Sequence, residues 1–238
     1  MRIAAVLAAS VLVASVLVAG CANQPDTRSG SIQLTPISPS RAAVTPAPGA
    51  SAAPSTPSSA TAMAAPAASA PIADVIAWVE AAGPVDGADF GIALRNGVTT
   101  PLAEDVAFTT PSGTSCMTDT KNGSTALACL VNLIDPPPQP PDIYGAWKGG
   151  WVDFDGAAVQ VGSAHGDPGR FSAGQGPPLP TDRSLSFGDF RCRTDTSTLI
   201  CVNYANRTAV RYDDAGIETY GCTRESSPES GVGIRFTC

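Results

Sequence analysis

The chain has 238 residues and a formal net charge of −7, from 14 Lys+Arg against 21 Asp+Glu. A negative balance argues against nucleic acid as a partner, because phosphate binding wants clustered cations. Twenty-two prolines and 23 glycines exclude a helical bundle, and one histidine is too few for an imidazole pair or a His-based metal cage.

Met1-Arg2 is a short positive start, and Ile3 to Ala19 is apolar or small apart from Ser10 and Ser15. That run is too short, and too abruptly followed by polar residues, for a comfortable transmembrane helix. It closes on Val18-Ala19-Gly20-Cys21, a pattern that resembles the lipobox of bacterial lipoprotein signals. The resemblance implies that residues 1–20 are a signal peptide cut just before Cys21. It also implies that the Cys21 thiol carries a diacylglyceryl thioether, with palmitate-type chains as the anchor. Small residues at 19 and 20 fit a narrow peptidase site, and the thiol is the one good nucleophile nearby. Cysteine parity agrees: seven cysteines become six without Cys21, and all six lie between Cys116 and Cys238. An even set suits disulfides in an oxidising compartment. Each buried CH₂ contributes about 0.8 kcal/mol, so two or three acyl chains hold a protein on a membrane where one is marginal. The expected address is the extracytoplasmic face of the cell membrane, with the membrane itself as a partner through the lipid.

Residues 22–70 hold 14 Ala, 9 Ser, 8 Pro and 5 Thr, while all 14 aromatic residues of the chain lie from Trp78 onward. A segment without aromatics cannot bury enough apolar area to offset chain entropy. Residues 21–70 therefore read as a lipidated cysteine followed by a disordered Pro/Ala/Ser/Thr tether, with a reach of roughly 40 Å as a flexible coil. Residues 71–238 carry 11 basic and 20 acidic side chains and form the expected globular domain.

Within that domain, Ile72, Val75, Ile76 and Val79 stand at helical spacing, and Gly83-Pro84 stops the pattern, which predicts a helix over 72–82. Everything beyond punctuates as β structure. Strands are expected near 90–94, 105–110, 114–118, 126–133, 151–154, 157–162, 185–193, 199–204, 207–212, 217–221 and 232–237. Asn96-Gly97, Asn122-Gly123, Asp155-Gly156 and Asp214 to Gly216 supply turns between them. Pro136 to Pro138 and Pro140-Pro141 mark a rigid connection.

Two stretches resemble each other. Phe108 precedes Cys116, and after a turn Cys129 is followed by Asn132; Phe187 precedes Cys192, and after a turn Cys201 is followed by Asn203. The fold class expected is a mainly β, disulfide-stapled antiparallel sandwich or barrel built from two similar hairpin units, with one short N-terminal helix. Six cysteines allow 15 pairings. Equivalent hairpins favour Cys116 with Cys129 and Cys192 with Cys201, leaving Cys222 with Cys238. No Cys-x-x-Cys spacing occurs, so no metal and no cofactor are expected.

Ile72–Glu80, Asp105–Gly113, Gly149–Gly156, and Cys192 with Cys201–Tyr204 carry a further resemblance. Over most of the domain, the chain is similar to the uncharacterised cell-envelope lipoproteins of mycobacteria, the LppI-like group. That resemblance brings an envelope address and no catalytic residues.

Two constellations bear on chemistry. Tyr144, Trp147 and Trp151 around Gly149-Gly150 form a candidate platform for a sugar or apolar ligand. His165 with Ser112 and either Asp167 or a distant acid forms a candidate hydrolase triad, although Thr110-Pro111-Ser112-Gly113 is a good β-turn and no Gly-x-Ser-x-Gly elbow exists. Asp153 and Asp155 lack the third ligand and closing Glu of a calcium loop, and read as strand-end carboxylates on the solvent face. The leading expectation is a non-enzymatic binding or structural domain whose ligand or protein partner is unknown, and the alternative is a membrane-anchored hydrolase.

Overall fold

The computed structural model describes residues 63–120, 124–164 and 169–238. Residues 1–62, with Cys21, and residues 165–168, with His165 and Asp167, lie outside the described residues, as does the Asn122-Gly123 turn. The first element is the helix α1 (Ile72–Glu80), two residues shorter than the 72–82 pattern. Its buried face is Val75, Trp78 and Val79, so the indole takes a place that aliphatic spacing alone gave to half-buried Ile72 and Ile76. Next come the two-residue strand β1 (Gly83–Pro84) and a hairpin of β2 (Ile92–Arg95) and β3 (Val98–Pro101). Asn96 and Gly97, both with positive φ, turn that hairpin.

Two five-stranded meanders then follow in sequence. The first is β4 (Ala107–Thr109), β5 (Ser115–Asp119), β6 (Ser124–Leu130), β7 (Lys148–Phe154) and β8 (Ala158–Ser163). The second is β9 (Arg183–Phe187), β10 (Phe190–Thr194), β11 (Leu199–Asn203), β12 (Thr208–Asp213) and β13 (Gly216–Tyr220). A C-terminal hairpin of β14 (Arg224–Ser226) and β15 (Val232–Thr237) returns to the first sheet and pairs with β8. The sheet orders are β14-β15-β8-β7-β6-β5-β4 and β1-β9-β10-β11-β12-β13. The two sheets stack as a sandwich, with an inner core that includes Phe108, Leu127 and Phe154 from one and Leu185, Leu199 and Tyr212 from the other.

The repeat is visible in the register. Cys116 lies directly across from Cys129, and Cys192 directly across from Cys201, each pair joining the second and third strands of its meander. Both pairs form disulfides, as does Cys222 with Cys238. All four cysteines of the two meanders are fully buried in the inner core.

Two departures from the expected elements have local causes. The run 185–193 is not one strand: Gly188 takes φ +48°, and Phe187 pairs back onto Phe190 across a tight turn. The repeated asparagine is also not equivalent in the two units. Asn203 is two residues from Cys201 and shares its inward face, whereas Asn132 is three from Cys129 and is exposed.

Each outer sheet face is covered. Helix α1 packs Val75, Trp78 and Val79 onto Ile200, Val202 and Ala209. Residues 63–70, placed by composition in the tether, lie along this face: Trp78 Nε1 donates to the Met63 carbonyl at 2.9 Å, and Ala65 and Ala70 pack alongside. On the opposite face, Ala93, Leu102 and the 3₁₀ turn Gly169–Ala173 cover Met117, Ala128 and Trp151.

Candidate functional site

The structure separates the expected aromatic platform. Trp151 is 1% exposed, its ring edge-on to Phe171 at 5.3 Å and its Nε1 donating to Asp153 Oδ2 at 2.8 Å. Trp147 is half-buried, with Nε1 donating to the Pro137 carbonyl at 3.0 Å. Its ring lies over Gly162, whose missing Cβ would come 2.6 Å from Trp147 Cζ2. Only Tyr144, 94% exposed, faces solvent freely. The reason is strand alternation: Trp151 points to the outer face of β7 under the 3₁₀ turn, while Trp147 precedes the strand and folds back with the proline segment. Three aromatics close in sequence thus do three separate jobs. Asp153, expected on a solvent face, is instead half-buried, holding Trp151 and lying 3.6 Å from Arg170 Nη2. Asp155 is a turn residue, its Oδ1 accepting from the N–H groups of Ala157 and Ala158 at 2.8 and 2.7 Å.

Ser112 sits in the tight turn between β4 and β5, where the Gly113 N–H donates to the Thr110 carbonyl at 2.9 Å and the Thr110 and Ser112 hydroxyls lie 2.9 Å apart. A recess of about 210 Å³ beside it is lined by Asn132, Ser197 and Asp214. His165 and Asp167 fall outside the described residues. Ala164, where the described chain stops before them, follows β8, three strand spacings from β5, or about 14 Å.

The site with built chemistry lies at the end of the sandwich where the β7–β8, β9–β10 and β11–β12 turns converge. They bound a cleft of about 390 Å³. Its floor is apolar: Val106, Phe187 and Phe190, the two rings stacked at 5.6 Å and 20°. Carboxylates of Glu104, Asp155 and Asp189 stand at its rim with the hydroxyls of Thr120 and Thr125. Among the described residues, no Lys or Arg lines it.

Rigid supports hold these groups. Buried Asp105 accepts from Thr118 Oγ1 at 2.9 Å and from both the N–H and hydroxyl of Thr120, at 2.6 and 2.9 Å, fixing the end of β5. Thr208 Oγ1 donates to the Gly156 carbonyl, tying the β7–β8 turn of one sheet to β12 of the other. Gly156 has φ +99°, and a Cβ there would come 2.6 Å from the Asn203 amide, so only glycine lets the turn close over that side chain. Asn203 is 3% exposed; its Oδ1 accepts from Asn206 N–H at 3.0 Å and Asn206 Nδ2 at 3.1 Å. The backbone N–H bond settles which end of the amide is which. The Nδ2 end of Asn203 lies against the Gly156 turn, at the edge of the cleft that Asn203 lines, and donates to no described residue.

No protein-family model, curated protein or solved structure matches this chain. The site must be read from its own geometry.

That geometry holds, among the described residues, no three of His, Cys, Asp and Glu close enough together to bind a metal ion. It offers hydrogen-bond acceptors at the rim, amide donors inside and an aromatic floor. A second recess, about 470 Å³, lies between Pro140, Asp142 and the 228–233 turn, and no aromatic ring lines it among the described residues. Sequence reasoning marked Asn203 and Phe187 only as repeat positions. The signal that points to them is the pair of turns Asp155-Gly156 and Gly188-Asp189 at strand ends, but placing the two turns together needs the sheet stacking.

Proposed function

We propose that the protein is a lipid-anchored cell-envelope lipoprotein that holds a non-enzymatic binding domain on the outer face of the membrane. One observation carries this reading: all six domain cysteines pair with one another, so Cys21 has no cysteine left to bridge. The leftover thiol sits at the end of the apolar leader, in the one place where acylation would use it. Three disulfides also favour an oxidising compartment. The Pro/Ala/Ser/Thr segment gives standoff, and the cleft at the turn-bearing end of the sandwich gives the domain somewhere to bind. Support for binding rather than hydrolysis comes from the cleft, whose rim carboxylates and amides suit recognition, and from Ser112, which is committed to a turn.

Intact-mass analysis of the mature polypeptide from a bacterial host tests the anchor. The expected species begins at Cys21 and carries diacylglyceryl plus acyl mass, and Cys21→Ser releases the chain from the membrane fraction. A mature chain with unmodified or bridged residue 21 removes the reading.

A further inference from the structure

We propose that the cleft between Glu104, Asp189 and Asn203 binds a neutral sugar unit. The inference rests on the domain being a binding module and names what it takes. Three features of the cleft select the ligand class together. The rim carboxylates of Glu104 and Asp189 accept hydrogen bonds from no described residue, so a ligand must bring donors. Asn203, which also lines the cleft, donates from Nδ2 to no described residue, so the same ligand can bring an acceptor to an amide donor. A hydroxyl is both at once. An ammonium group has donors only, and a phosphate, whatever O–H it keeps, carries negative charge that the rim carboxylates repel. The half-buried Phe187, stacked on Phe190, offers the apolar face against which the C–H side of a pyranose packs. The supports described above keep both ends in place without ligand, so binding needs little reordering.

Amide NMR of the full mature chain carrying Cys21→Ser, titrated with D-glucose, D-galactose, D-mannose, spermidine and inorganic phosphate, tests this. The expected result is saturable shifts confined to residues around Gly188–Phe190 and Asn203–Asn206 with at least one hexose and with neither ion. Asn203→Asp keeps the Oδ1 acceptor for the turn and replaces the donor, and is expected to weaken the hexose at least tenfold. Asp189→Ala, on an exposed turn, gives the same loss with an unchanged melting temperature and decides the matter if Asn203→Asp misfolds. Spermidine saturating the cleft without any hexose overturns the sugar assignment while leaving a binding domain. So do hexose shifts elsewhere, unaltered affinity in the variants, or no response to any probe. The anchored-lipoprotein reading stands or falls separately, on the mass of the Cys21 peptide.

Discussion

The guanidinium carbon of Arg193 lies 3.9 Å from the centroid of the Trp78 ring, and its Nη1 donates to the Trp78 carbonyl at 2.6 Å. Nη2 meets Asp182 Oδ1 at 2.9 Å, so one buried side chain on β10 grips helix α1 by ring and backbone while its charge is answered from the β9 side. A lysine keeps the charge but not the planar fork or the stacking. Arg193→Lys is expected to cost about 2 kcal/mol in a urea titration and to expose the Trp78 indole. An unchanged midpoint would show that apolar packing alone docks the helix.

Three glycines on adjacent strands, Gly149, Gly162 and Gly233, leave a trough filled by Pro136, Pro137 and Trp147. A Cβ at Gly233 would meet Pro137 Cβ at 2.8 Å, and one at Gly149 would meet Pro136 Cβ at 2.7 Å. Gly162 also has φ +76°, so a side chain there adds backbone strain to the clash. Gly233→Val is expected to lift the proline segment off the sheet, cost about 1–3 kcal/mol and red-shift Trp147 fluorescence. Retained emission and stability would mean that the segment adapts without leaving.

The limits of sequence reading follow from these contacts. The hairpins, the helix and the cysteine pairing were legible because each is a local pattern: periodicity, Asn-Gly and Asp-Gly turns, and two copies of one spacing. The tight turn at Gly188-Asp189 was hidden because the apolar alternation of Leu185 and Phe187 resumes just beyond it at Phe190 and Cys192, so the stretch reads as one strand. The roles of Trp147 and Trp151 were hidden because nearness in sequence says nothing about which side of a strand a ring takes once a proline segment folds back. The cleft was least legible of all. Glu104, Asp189 and Asn203 meet only after β4 through β11 are stacked, and no local spacing encodes that meeting.

Tyr212 is fully buried between the sheets, and its hydroxyl has no hydrogen-bond partner among the described residues. Burial, and secondarily the charge of Asp153, pushes its phenol far above the ordinary value. Tyr204 and Tyr220 move the same way, chiefly through burial. The folded chain keeps the Tyr212 phenol neutral while the unfolded chain ionises it near pH 10, and the raised Tyr204 and Tyr220 act in the same direction. Above that pH the unfolded state binds fewer protons than the folded one, so stability falls as pH rises; below it, Tyr212 adds no slope. Urea midpoints at pH 9 and pH 11 are expected to drop for the parent and to drop less for Tyr212→Phe. At pH 7 the same variant is expected to match or exceed the parent by about 1 kcal/mol, since it removes an unpaired buried hydroxyl. A large loss at pH 7 would reveal a partner for that oxygen.

The three disulfides close loops with sequence separations of 13, 9 and 16 residues. Constraining the unfolded chain by loops of that size stabilises by about 3 kcal/mol each, with little difference among them. Their surroundings differ more. Cys116–Cys129 and Cys192–Cys201 are wholly buried at the centre of the inner core, while Cys222–Cys238 joins the C-terminal residue to the stretch before β14, and Cys238 is exposed. Access, not loop length, therefore sets the order of reduction. Under native conditions, dithiothreitol is expected to open Cys222–Cys238 first, leaving the sandwich folded, and to reach the two central bonds only on unfolding. Alkylation at timed intervals followed by peptide mapping reads that order. Early loss of Cys116–Cys129 would mean that the first meander opens on its own, and that the two sheets are less firmly joined than the Thr208–Gly156 bond and the shared core require.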